Sequence, residues 1–380
     1  DPAQVNLYAI ARIWRAYTFH RITDLYGDIP YSDAGQGYTS SKFTPKYDTQ
    51  QSVYLDMLKE LEQAATSLDA TKSSYASADI VYGGDVTKWK KFAYSLMLRL
   101  SMRMTKVDAA TAKTWAQKAI TGGIILDDKD LAKVQYIANG QDINKNPVSL
   151  AMRGNNYAVA DGNNNTEGGK FSNTFISFLK ANKDPRLSSI SVVWVDKKQD
   201  TTATVQKGMP NGLLQKPADF ITYSEPNINT VLKLDAPMVV ISNAEMNFLM
   251  AEAIVRGWAS GDAASYYQGG ISASMRNMAI YGDAAAISNA KINAYLATHT
   301  FPASFDAQME QIHSQMWVSL FPDEVEVYSN WRRTGYPKLT PVNITGNLTN
   351  GTIPRRLIYP IVEENLNGPN LKEAISRQGA

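Results

Sequence analysis

Residues 82 to 104 read YGGDVTKWKKFAYSLMLRLSMRM, and this string limits the possible folds more than any other part of the chain. A glycine pair ends one segment and Asp85 opens the next. A carboxylate there accepts hydrogen bonds from backbone N–H groups two or three residues on and sits at the positive end of the helix dipole. Trp89, Phe92, Ala93, Leu96, Leu100 and Met104 follow at helical spacing, which predicts an apolar stripe turned to a core. Lys88, Lys90, Lys91, Arg99 and Arg103 fall between them and are expected to cover the remaining faces. A well-capped amphipathic helix follows.

The pattern continues on both sides. Residues 5–26 place Ile10, Ile13, Trp14 and Tyr17 on one face and stop at Gly27. Asp48 and Gln51 form a capping-box pattern ahead of Tyr54, Leu58, Leu61, Ala65 and Leu68. Residues 108–121 make a fourth helix, ended by Gly122 and Gly123. These are two helix pairs with short connections, too irregular for a tetratricopeptide assignment by repeat alone.

The chain changes character at residue 139. Before it the only Asn is Asn6; from 139 to about 237 the text is rich in Asn, Gly, Ser and Pro. A loop-dominated stretch of this length inside a globular protein is uncommon and usually functional. Within it, 171–179 reads as a helix and 190–195 as a strand. Ser242 then caps another helix, with Glu245 completing a capping box and Gly257 as its stop. Further helices are expected over 263–281, 286–298 and 306–321, with a mostly irregular tail after Pro337. The reading is mostly α, in one domain: a helix-pair scaffold over 1–138, a loop-rich, ligand-facing insertion with short strands over 139–240, and closing helices with an irregular tail over 241–380.

Composition excludes several function classes. With no Cys, there is neither a disulfide framework nor a thiolate metal site. The formal net charge is only +2 and the basic residues are dispersed, so nucleic-acid binding has no electrostatic footprint. No apolar run approaches the roughly 18 residues a membrane-spanning helix needs.

The string at 82–104 resembles a signature of the SusD/RagB family, the surface lipoproteins of Bacteroidetes nutrient-uptake systems. Other strings carry the same resemblance in the family's order: TDLYGDIPYSDA at 23–34 with YDTQQSVYLDMLKEL at 47–61, NKDPRL at 182–187, SNAEMNFLMAEAIVRGW at 242–258, then WRRTGYP at 331–337 with IPRRLIYP at 353–360. The resemblance implies a tetratricopeptide-like fold and a non-catalytic, cell-surface subunit. Such a subunit captures a nutrient, usually an oligosaccharide, for a SusC-like TonB-dependent outer-membrane transporter. The family's signal peptide, lipidated Cys and first helices have no counterpart in this sequence, so membrane attachment is expected only through a lipid anchor outside it.

Catalytic and cofactor motifs are thin. His20, His299 and His313 are scattered without an HExxH pair, and there is no GxSxG, P-loop or GxGxxG. His20, on an aromatic helix face, reads as packed or at the surface rather than as a base. The carboxylate pairs Asp127–Asp128, Asp323–Glu324 with Glu326, and Glu245 with Glu252 have readier structural roles: a helix turn, a cap, and pairing of Glu252 with Arg332 or Arg333. No cofactor, metal or catalytic residue is assigned.

Binding residues are sought in the insertion. Trp14, Trp89, Trp115, Trp258 and Trp317 sit in helical patterns and are expected in the core, and Trp331 is expected to be structural. Trp194 ends a strand beside charged residues, so it is either a stacking platform for a sugar ring or the lid of a small core. Tyr157 and Tyr223 lie among Asn155, Asn156, Asn163 and Glu225. Flat apolar faces beside amides and carboxylates suit polyol recognition. Tyr38 and Tyr31, in the 27–46 loop, complete the candidates. A protein-only helix-repeat scaffold and a glycoside hydrolase stay open as alternatives, the latter requiring two carboxylates across a cleft.

Overall fold

The computed structural model describes residues 2–153, 169–195 and 198–379. Among them are eleven helices of nine residues or more: α1 (Val5–Tyr26), α2 (Gln50–Ser67), α3 (Val86–Arg103), α4 (Ala109–Gly122), α5 (Asn173–Ala181), α6 (Asn243–Val255), α7 (Ala263–Asn277), α8 (Asn289–Thr298), α9 (Phe305–Leu320), α10 (Glu324–Thr334) and α11 (Gly368–Gln378). The strands are short: β1 (Ile29–Pro30) pairs with β2 (Tyr47–Asp48), and β3 (Ala132–Val134) with β7 (Met238–Ile241). β4 (Ser191–Val195) lies between β5 (Lys198–Asp200) and β6 (Glu225–Pro226). All pairings are antiparallel.

Each early helix packs on the next: α1 on α2, α2 on α3, α3 on α4. The glycine–aspartate turn before α3 has a clear physical basis. The Asp79 carboxylate accepts from the N–H groups of Val81, Tyr82 and Gly84 and from the indole Nε1 of Trp89, at 2.6 to 3.1 Å. Gly84 has φ +86°, and a Cβ there would lie 2.7 Å from the Ala76 backbone. Asp85 then caps α3 through Thr87 and Lys88 N–H, as the sequence predicts. The apolar stripe is buried throughout, from Trp89 to Met104.

Two of the five basic residues expected on solvent faces are not there. Arg99 is 2% exposed and the Arg103 side chain 8%. The reason is tertiary: α3 also touches α1, α6 and α10, so beyond Ser95 it has little solvent face. Arg99 donates Nε and Nη2 to the Glu245 carboxylate, both at 2.6 Å. Glu245 is therefore not spent on its cap. Ser242 accepts from Glu245 N–H as expected, while the carboxylate crosses to α3. Likewise the cap of α2 is Thr49, accepting from Ser52 N–H, and not Asp48. The Asp48 carboxylate instead holds Tyr31 and Ser32 N–H at 3.1 and 2.7 Å.

The core has two main parts. One is built from α1 to α4 with α6, α7 and the inner face of α9. The other gathers Phe171, Phe175, Ile176, Leu187, Ile190, Val231 and Tyr281, with Trp194, Trp317 and Phe321 packed against it. The 139–240 stretch thus supplies most of a second apolar cluster, which Met278, Tyr281, Ala285 and Val318 complete. The tail is more regular than expected. Residues 361–366 and α11 are helical, and Leu371 and Ala374 of α11 join Tyr47 and Tyr359 in a small third cluster. No helix among the described residues is long and apolar enough to cross a membrane.

Candidate functional site

A cleft of about 250 Å³ opens where the second core meets the end of α9. Ser172 caps α5 by accepting from Phe175 N–H at 3.3 Å, which fixes Phe171 and Phe175 on one side. Trp317, Phe321 and Glu324 come from the end of α9 and the start of α10 on the other. The rings interlock: Phe171 to Phe321 at 5.3 Å, Phe175 to Phe321 at 5.9 Å, and Phe175 edge-on to Trp317 at 4.9 Å. Phe171 and Phe175 are buried, whereas Trp317 and Phe321 keep part of their surface in the cleft. Met152 and Gly169 also line it.

Behind the cleft lies a buried ion pair. Lys170 Nζ is 2.9 Å from Glu225 Oε2, and Trp194 Nε1 donates to Glu225 Oε1 at 2.8 Å. Trp194 is half-buried, with its ring against the second core. Tyr223 is buried on the approach to β6, with Lys207 Nζ 4.3 Å from its ring centre. Asn155, Asn156, Tyr157 and Asn163 lie outside the described residues. Tyr38 is fully exposed on a loop tied to α11 and the turn before it, through Asn370 to the Thr44 carbonyl and Asn367 to the Pro45 carbonyl. Tyr31 is buried, donating its hydroxyl to Asp56 at 2.7 Å. The structure therefore brings Trp194 and Glu225 together and puts Tyr38 on a separate loop. Sequence reasoning assigned Trp317 to the core, took Phe321 as the end of a helix and gave Glu324, in the Asp323–Glu324–Glu326 group, a structural role. The signal was present as an aromatic pair four residues apart at the end of a helix, with a carboxylate three residues beyond.

A second, more enclosed cavity of about 230 Å³ lies between the two cores. Its polar lining is largely taken up by ion pairs, Arg21 with Asp323 and Arg99 with Glu245. It suits a structural seam better than an extended ligand. His20, Asp24 and Glu326 approach closely enough to suggest a metal site. Their atoms are already engaged, however. His20 Nε2 faces Glu326 Oε1 at 2.9 Å, Asp24 accepts from the Tyr54 hydroxyl, and Arg103 lies against both carboxylates. The Arg99 Nε is a further 3.4 Å from Glu326 Oε2. Guanidinium charge supplies there what a cation would.

The strings that carried the family resemblance serve this framework. In NKDPRL, Asp184 takes Arg186 bidentately at 2.9 and 2.5 Å, and Arg186 reaches on to Gln315 and Ser274. In the Ala251–Glu252–Ala253 centre of α6, Glu252 takes Arg333 of the WRRTGYP string at 2.6 and 2.8 Å. Of the two arginines proposed for Glu252, Arg333 is the partner. Arg332 donates to the Asp24 and Arg355 carbonyls instead.

A family model described as "Starch-binding associating with outer membrane" matches residues 1–360. A solved chitin-binding protein superposes with a TM-score of 0.86 at 32% identity, the match covering 100% of this chain and 79% of that one. A SusD homolog from Bacteroides uniformis gives 0.81 at 31% identity, covering 98% and 79%. A chitin-binding SusD homolog from Flavobacterium johnsoniae gives 0.78 at 27%, covering 99% and 78%. No curated protein matches by sequence. The family model across nearly the whole chain, and helix pairs shared with these structures, establish that the chain belongs to the SusD-like family, with its tetratricopeptide-like helical fold.

Proposed function

We propose that the chain is a non-catalytic, lipid-anchored subunit at the outer-membrane surface that binds an oligosaccharide in the aromatic cleft and delivers it to a TonB-dependent transporter. The observation that carries the reading is the wall formed by Phe171, Phe175, Trp317 and Phe321. Flat rings cover the C–H faces of sugars, and they are already held in place by one another and by the α5 cap. The family description and the two chitin-binding relatives support a glycan as the cargo. Trp194 contributes as the residue that fixes Glu225, with its half-exposed flank open to a longer ligand; Tyr223 and Tyr38 are candidates for contacts beyond the cleft.

Isothermal titration with maltose-derived and N-acetylglucosamine oligomers tests this. Micromolar to millimolar affinity is expected, tightening when the transporter is present, with no new reducing ends on prolonged incubation. Trp317→Ala should weaken binding per folded molecule about thirtyfold, the scale of an aromatic hot spot of about 2 kcal/mol. Unaltered affinity in that variant would remove the cleft from the ligand path, and sustained product formation would make the chain a hydrolase.

A further inference from the structure

The charge balance of this cleft deepens the proposed function and rests on that reading of it. Among the described residues, two charged side chains line it, Lys170 and Glu324. Lys170 is neutralised by Glu225, with the two side chains only 2% and 0% exposed. Asp323, beside Glu324, is held by Arg21 in a bidentate pair at 2.8 and 2.9 Å. Arg153, next to the lining residue Met152, donates to the Ile228 carbonyl at 2.8 Å and does not line the cleft. Glu324 is left over. Among the described residues its carboxylate has neither an ion pair nor a hydrogen bond, although it is exposed at the cleft mouth. Partial burial, and then the neighbouring Asp323, push its carboxyl above the ordinary range.

An unpaired carboxylate beside aromatic faces has a definite ligand preference. A cation held there meets both the carboxylate and the electron-rich faces of Trp317 and Phe321. A ligand bearing its own carboxylate meets like charge. We propose that the cleft selects amine-bearing oligosaccharides, of the glucosamine type, over neutral ones and turns away uronates, with Glu324 as the specificity-determining residue.

The test titrates the whole chain with oligomers of equal length in glucosamine, N-acetylglucosamine and galacturonate. It is run at about pH 6, where amines are protonated and carboxylates largely ionised. The amine-bearing oligomer should bind about fivefold more tightly than the neutral one at low salt, as expected for one solvent-accessible charge pair. That ratio should shrink as salt screens the pair, and the uronate should bind most weakly. In Glu324→Gln the amine-to-neutral ratio should fall to about one, because the amide keeps the shape and loses the charge. Equal affinities in the wild-type chain, or a preference that survives Glu324→Gln, would overturn the selectivity while leaving glycan capture standing. Binding of none of the three would overturn the proposed function itself.

Discussion

Glu252 shows how a buried charge is held in this protein. Burial by itself would raise its carboxyl, but Arg333 and then His313 outweigh that and hold it well below the ordinary range. Removing one partner of such a pair typically costs about 3–5 kcal/mol; here Arg256, 2.8 Å from Glu252, stays behind and puts the loss at the lower end of that range. Arg333→Ala should therefore lower stability by about that amount in urea melts, whereas the doubly neutral Glu252→Gln/Arg333→Met chain should recover part of it. The same residues set a pH dependence. Burial lowers His313 below its ordinary 6.5, outweighing the neighbouring Glu252. Between that value and its lower folded one, the unfolded chain takes up a proton that the folded chain refuses, so stability falls as pH drops below 6.5. Glu252 and Glu326 are held well below 4.5, and the stability they confer above that value is lost on further acidification. Melting temperature should decline in these two stages from pH 8 to pH 3. A flat first stage in wild type would show that His313 is not buried neutral, and His313→Gln should abolish that stage alone.

At the level of the element, the turn into α3 rests on two adjacent glycines with different duties. Gly83 has φ +62° but nothing within 4 Å of an added Cβ, whereas Gly84 combines φ +86° with the close Ala76 backbone. Gly83→Ala should then cost only the left-handed strain, about 1 kcal/mol. Gly84→Ala should cost that and about 1–3 kcal/mol more for overpacking. Thermal melts of the two variants, with Trp89 fluorescence reporting the turn, decide it. Equal losses would mean that the Ala76 segment moves aside freely. Similar logic governs α9. Ile312 and Met316 face the first core, while Trp317 and Phe321, the residue just after the helix, reach the second. One helix therefore both closes the scaffold and supplies half of the cleft.

Across the whole molecule, that shared helix and the charge network couple the parts. Arg99 and Arg103 on α3 reach Glu245 on α6 and Glu326 on α10, and Arg186 reaches Ser274 on α7 and Gln315 on α9. Neither core can lose its packing without stranding charges in the other. Urea unfolding followed by tryptophan fluorescence and by far-UV circular dichroism should therefore give coincident curves. Two separated transitions would show that the loop-rich part unfolds on its own.

The sequence alone determined what depends on local chemistry. The Asp85 cap, the stripe from Trp89 to Met104, the end of α1 at Gly27 and the strand at Ser191–Val195 follow from capping, period and turn geometry, which are set by residues a few positions apart. The recurring strings, read in order, also identified the family. Tertiary structure decided the destination of each charge. Arg99 and Arg103 look like surface residues on a helical wheel until α6 and α10 arrive with carboxylates from 146 and 223 residues away. It decided the candidate cleft for the same reason. Phe171, Phe175, Trp317 and Phe321 belong to stretches some 140 residues apart, and each by itself reads as an ordinary core aromatic. No spacing rule links such distant positions; only packing two apolar clusters against one helix leaves those rings side by side with a carboxylate that has no partner among the described residues.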